Sequence, residues 1–145
     1  ADNIVAMLSL ETMGYYRADP GTQQYPPVVG LAYPSTGDFI TFVGHRQSSE
    51  LVERCTRIFR ENSEVPAEGA ALPSLVPRIG SSDHWSFWKQ GWPGLMVTHT
   101  APYRYQWYHT SQDTWEKLDY ETMSRVVEGL VHVIDDLCGS REPAR

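Results

Sequence analysis

Apolar residues along this chain follow two rhythms, short continuous runs and longer stretches with helical spacing, which together predict alternating strands and helices. The first run, Ile4-Val5-Ala6-Met7-Leu8-Ser9-Leu10, is almost uninterrupted and predicts a strand covered on both faces, with Gly14 allowing a sharp exit. Residues 17 to 38 hold Pro20, Gly21, Pro26, Pro27, Gly30, Pro34 and Gly37. That density of breakers suits an ordered surface excursion better than a helix or central strand. Phe39-Ile40-Thr41-Phe42-Val43 predicts the second strand. Ser48 or Ser49 then caps a helix whose residues Leu51, Val52, Cys55, Ile58 and Phe59 share one face, ending near Asn62.

A second Pro/Gly-bearing stretch, Val65 to Gly80, leads to Ser82-Asp83-His84-Trp85-Ser86-Phe87-Trp88, where Ser82 caps a short helix closed by Gly91. Gly94-Leu95-Met96-Val97-Thr98 predicts a third strand. The clearest element is the last. Asp119 serves as cap, Glu121 lies in the first turn, Met123, Val126, Val127, Leu130, Ile134 and Leu137 form one face, and Gly139 follows the end. There is no internal repeat, and 145 residues accommodate a single hydrophobic core. The expectation is one α/β domain with helices packed on a sheet.

Composition narrows the function. Twelve Lys and Arg against eighteen Asp and Glu give a net charge of −6, so the chain has no basic field for phosphates, and neither nucleic acid nor an anionic membrane is an expected partner. No apolar run approaches the roughly 20 residues of a spanning helix, and the first residues lack the pattern of a signal peptide. Cys55 and Cys138 match no metal-ligand spacing; they read as buried helix residues, with a disulfide as the alternative in an exported protein.

An open α/β sheet places its ligands beyond the carboxyl ends of its strands. Three groups of polar residues fall there: Glu11 after the first strand, Ser82-Asp83-His84 at the short helix, and the segment from Tyr103 to His109, with Asp113, after the third strand. Glu11 suits a positioned metal ligand but reads equally as a surface carboxylate. His109 has Asp113 four residues on, so one imidazole nitrogen is available to a metal while the other is oriented by a carboxylate; a histidine bonded to backbone explains it as well. Asp83 and His84 form either a carboxylate–imidazole pair or the start of a capped helix. His45 and His132 read as loop and helix-surface residues. No G-x-S-x-G elbow, P-loop or G-x-G-x-x-G occurs, and both cysteines lie in helical patterns, which argues against nucleophilic catalysis and nucleotide binding.

Taken in order, Ser9-Leu10-Glu11-Thr12-Met13-Gly14-Tyr15-Tyr16, Ser82-Asp83-His84-Trp85-Ser86-Phe87-Trp88 with Gly91-Trp92-Pro93-Gly94, and Tyr108-His109-Thr110-Ser111-Gln112-Asp113-Thr114 resemble the co-catalytic di-zinc aminopeptidase family. The resemblance spans nearly the whole chain and implies a three-layer α/β/α zinc-peptidase fold, of which this would be the C-terminal half, built on a mixed sheet flanked by helices. It places one zinc ligand at Glu11, where the family usually has Asp, and another at His109. It makes Tyr108 a donor to the tetrahedral oxyanion, gives Tyr103 and Tyr105 to an aromatic substrate pocket, and sets Ser82, Asp83, His84 and Asp113 around the ligands. The implied reaction is hydrolysis of an N-terminal peptide bond by a metal-bridging water, with a glutamate as general base.

Two features depart from the family pattern. His99 stands in Thr98-His99-Thr100-Ala101, where the family usually has Asp. The His-x-Asp motif and Glu-Glu pair that supply the family's other ligands and its base are also absent from these residues. The resemblance therefore implies that residues 1–145 are the C-terminal part of one peptidase domain. Its partners would be a peptide substrate and the N-terminal half of the same domain. It would bind zinc weakly, be inactive alone and self-associate through an uncovered sheet edge. A periplasmic or secreted parent fits the family. Two alternatives are a non-catalytic ectodomain homologue and a glutaminyl cyclase-like transferase.

Overall fold

Alternation of side chains along the strands sorts the residues of this fold into two layers, visible in the computed structural model, which describes residues 4–26 and 29–139. In chain order the main elements are β1 (Met7–Glu11), β2 (Ile40–His45), α1 (Ser49–Asn62), β3 (Ala67–Leu72), α2 (His84–Lys89), β4 (Gly94–Thr98) and α3 (Tyr120–Leu137). The sheet order is β1-β4-β2-β3. β1 runs parallel to β4, β4 antiparallel to β2, and β2 parallel to β3, so the sheet is mixed. Ile40, Phe42, Leu95, Val97 and Ala67 turn to one face and meet Val52, Cys55 and Phe59 of α1 and Val126, Leu130 and Val133 of α3. Phe42 and Phe59 meet edge-on, centroids 5.6 Å apart. α2 lies on the opposite face, where its Trp88 indole donates to the Gly94 carbonyl at 2.8 Å.

The register lines up Glu11, Thr98 and Thr41 side by side across β1, β4 and β2. All three occupy the face opposite the α1–α3 core. The described residues of the excursion, 17–26 and 29–38, hold one 3-10 turn, Val29–Leu31, and no α-helix, and a bridge between Arg17 and Gly37 closes them.

Several expectations needed correction. Ile4 and Val5 precede β1, and Leu10 within it is 56% exposed, while Ser9 is buried. The strand is an edge, so β4 covers it on one side only. Gly14 is not a hinge: a Cβ there would come within 2.9 Å of Leu118, and the left-handed turn is made by Thr12 at φ 51°. β3 lies inside the stretch read as a connection. Its Ala-Glu-Gly-Ala-Ala-Leu sequence has little β propensity, but small residues are needed there because a Cβ at Gly69 would sit 2.7 Å from Thr56 of α1. On α3, Val126, Leu130 and Val133 are buried, whereas Val127 and Ile134 are each 48% exposed. His45 ends β2 rather than lying in a loop. Both cysteines are free thiols, and Cys138 is exposed.

Candidate functional site

Glu11 closes β1, and its position there comes from the strand ladder, paired with Thr98. Its carboxylate Oε2 accepts a hydrogen bond from the Ser82 hydroxyl at 3.0 Å. Ser82 Oγ in turn lies 2.7 Å from Ser9 Oγ, two residues earlier on the same face of β1. Ser82 thus serves the carboxylate and makes no capping bond to α2. Asp83 makes no side-chain cap either. The expected carboxylate–imidazole pair is not formed: His84 is fully buried and its Nε2 lies 2.7 Å from the Ile79 carbonyl, with Nδ1 left unpartnered. Its ring meets Trp88 edge-on, and burial lowers its pKa. His84 therefore anchors the turn that presents Ser82.

The segment after β4 separates residues that the sequence grouped together. Tyr103 faces an open cleft, as does Tyr108. Tyr105 does not: it is buried at 4% exposure, packs against Tyr15 at 4.9 Å and donates its hydroxyl to Asp113 at 2.8 Å. That bond also corrects the role expected of Asp113, which holds Tyr105 rather than orienting His109. His109 is exposed, stacked on Tyr108 with ring centroids 3.8 Å apart, and has a left-handed backbone at φ 59°.

The cleft has a cavity volume of about 120 Å³ and opens to solvent. Its floor is the sheet face bearing Thr41, Val43, Met96 and Thr98, and Glu11 lies on its lining. Its far wall comes from the excursion, through Tyr25 and Tyr33, stacked at 6.0 Å. Arg104 ties that wall down: its Nε donates to Gln23 at 2.8 Å and its Nη1 to the Phe39 carbonyl at 2.7 Å, while Gln23 Nε2 donates to Thr100 at 2.8 Å. Arg104 is buried, and loss of solvation lowers its pKa to about 10. His99 is buried close by. Burial first, then the Arg104 charge, pushes its pKa down to about 4.

Backbone strain marks the same place. The described non-glycine residues with positive φ are Thr12, Arg78, Thr100, Ala101 and His109. Arg78, Thr100 and Ala101 line the cleft, Thr12 follows Glu11, and His109 follows Tyr108. Each such conformation costs on the order of 1–3 kcal/mol, and strain of this kind gathers at functional sites. Sequence reasoning missed Gln23, Arg104 and the stacked tyrosines. The dense Pro and Gly of 17–38 signalled an ordered loop, but not which β-strand it covers.

Residues 1–134 match Peptidase family M28, and the chain belongs to that family. It is 36% identical over 129 residues to the uncharacterized protein YfbL of Escherichia coli strain K12, covering 88% of this chain and 40% of that protein. The Legionella pneumophila LapA aminopeptidase has a similar fold. One crystal structure gives a TM-score of 0.64 at 18% identity, over 91% of this chain and 31% of the other. A second gives 0.65 at 18% identity, over 92% and 32%. The chain thus spans less than half the length of these relatives.

Peptidases of family M28 are generally zinc-dependent. Among the described residues, no three His, Cys, Asp or Glu side chains come together as metal donors. Glu11 lies on the cleft, and His109, next to Tyr108 in the chain, is exposed. A catalytic zinc takes three protein ligands, so the residues of this chain do not by themselves fit the ion.

Proposed function

We propose that this chain is the cleft-bearing part of a zinc metallo-aminopeptidase that hydrolyses N-terminal peptide bonds, with Glu11 and His109 as its contribution to the metal ligands. The observation that carries the reading is the convergence of Glu11, Tyr108 and the strained backbone on one apolar cleft in a chain of family M28.

Each residue then has a defined task. Ser82 holds the Glu11 carboxylate by donating to Oε2, which fixes its rotamer and leaves Oε1 free. Tyr108 offers a phenolic hydrogen-bond donor at the cleft for a developing oxyanion. Tyr103, with Tyr25 and Tyr33, provides an aromatic surface for the first side chain of the peptide. No step is assigned to a metal on this chain, because its donors are too few. The remaining ligands and the general base belong, in this reading, to the rest of an M28 domain, which is also the proposed partner.

The test compares this chain with a longer protein containing the whole domain, using an aminoacyl anilide and an N-terminal glutamine peptide as substrates. The expected outcome is anilide hydrolysis by the longer protein, abolished by Glu11→Ala or His109→Ala, and no turnover or retained zinc in the chain alone. Turnover by the purified chain, itself lost in either variant, would overturn the inactive-part reading. Cyclisation of the glutamine peptide without anilide hydrolysis would replace the peptidase with a transferase.

A further inference from the structure

The cleft has two charged side chains on its lining, Glu11 and Arg78, set against apolar and hydroxyl-bearing residues. Glu11 is engaged by Ser82. Arg78 is exposed, and none of the ion pairs among the described residues uses its guanidinium. Its backbone is nevertheless tightly specified. It has φ 68°, its carbonyl accepts from Ser81 N–H at 3.2 Å, and the next residue, Ile79, is held by His84 at 2.7 Å. One short turn, residues 78–82, therefore carries both the free cation and the hydroxyl that fixes the carboxylate.

The rest of the lining says what lies between those charges. The hydroxyls of Tyr25 and Tyr33 are already donated to the Pro34 and Gly69 carbonyls, so these residues offer the cleft their rings. Thr41, on the floor, is 5% exposed, and its hydroxyl has no partner. That oxygen is closed off from the cleft, so the floor offers a ligand no hydroxyl there. The complementary molecule has an apolar body for these rings and a carboxylate for the guanidinium fork.

We infer that Arg78 is a carboxylate subsite of this cleft and that the peptide bound there is short, its C-terminal carboxylate paired with Arg78. The inference rests on the proposed reading of the cleft as a peptide site and adds substrate length to it. A longer peptide would pass Arg78 as a neutral amide and forgo the charge-assisted pair.

The experiment is isothermal titration of this chain at low ionic strength with leucyl-phenylalanine and its C-terminal amide, using the wild type, Arg78→Gln and Arg78→Lys. The free acid should bind about tenfold more tightly than the amide, equivalent to about 1.4 kcal/mol. Arg78→Gln should remove that preference by weakening the acid alone, and Arg78→Lys should restore part of it. Added salt should shrink the wild-type preference, a readout independent of whether the variants fold. Equal binding of acid and amide to the wild type would overturn the subsite while leaving the peptide cleft intact. No binding of either would overturn both. A third ligand, leucyl-glutamate amide, carries its carboxylate on the side chain; if it matches the free acid, C-terminal recognition is overturned.

Discussion

His99 is a base buried 3% exposed beside the Arg104 guanidinium, and it must stay neutral to remain there. Its pKa falls from 6.5 in a solvated chain to about 4 in the fold. Between these values the unfolded state binds the extra proton, so stability rises with pH. The contribution is complete above pH 6.5 and is lost as pH falls toward 4, a swing of about 3 kcal/mol at 1.36 kcal/mol per pH unit. Urea denaturation at pH 7 and pH 4.5 should show this loss in the wild type and a smaller one in His99→Asn, with His84, also depressed by burial, supplying part of the remainder. An unchanged pH slope in the variant would refute the assignment. The sequence marked His99 as an unusual residue. It did not disclose that the side chain lies between Tyr15 and Tyr105, because the contact with Tyr15 joins segments more than eighty residues apart.

At the scale of elements, α3 shows what hydrophobic periodicity can and cannot decide. The apolar positions were legible, and so was the Asp119 cap, whose carboxylate accepts from Thr122 N–H at 2.9 Å. The buried arc was not, because apolar residues wrap too far around the helix. Packing against α1 selects Val126, Leu130 and Val133, and Gly129 lets Phe59 approach so closely that a Cβ would sit 2.5 Å from its ring. Leu130→Ala should therefore cost about 2–5 kcal/mol. Val131→Ala, at a half-exposed position, should change stability by no more than about 0.5 kcal/mol. Thermal denaturation of the two variants distinguishes them, and equal losses would mean that both faces of α3 are packed. β3 was illegible for the opposite reason: its small residues answer to α1, not to strand propensity.

Across the whole molecule, β1 is an outer strand with Leu10 exposed, and α3 leaves Val127, Val131 and Ile134 uncovered. Unpaired strand edges and exposed apolar ridges promote association. We expect this chain to form dimers or larger species by light scattering, with Leu10→Lys shifting it toward monomer. A wild-type monomer at all concentrations would rule this out. The relatives of the chain, which are more than twice its length, fit a reading in which these surfaces are covered by further polypeptide of the same domain.

What could be known from residues alone was local or additive. The alternation of short apolar runs with amphipathic stretches specified an α/β layer structure, the net charge of −6 argued against nucleic acid, and three ordered motifs pointed to the peptidase family. Glu11 at a strand end and Tyr108 near the cleft follow from that level, since a strand's direction and end are set by its own neighbours. Folding decided everything that depends on distant contacts. It placed Ser82 on Glu11 across seventy-one residues, took Tyr105 out of the substrate surface and gave Asp113 to its hydroxyl instead of to His109, and assembled the cleft wall from the excursion held by Arg104 and Gln23. Those contacts come from the packing of layers, and no period along the chain encodes which residues of two separate layers will meet.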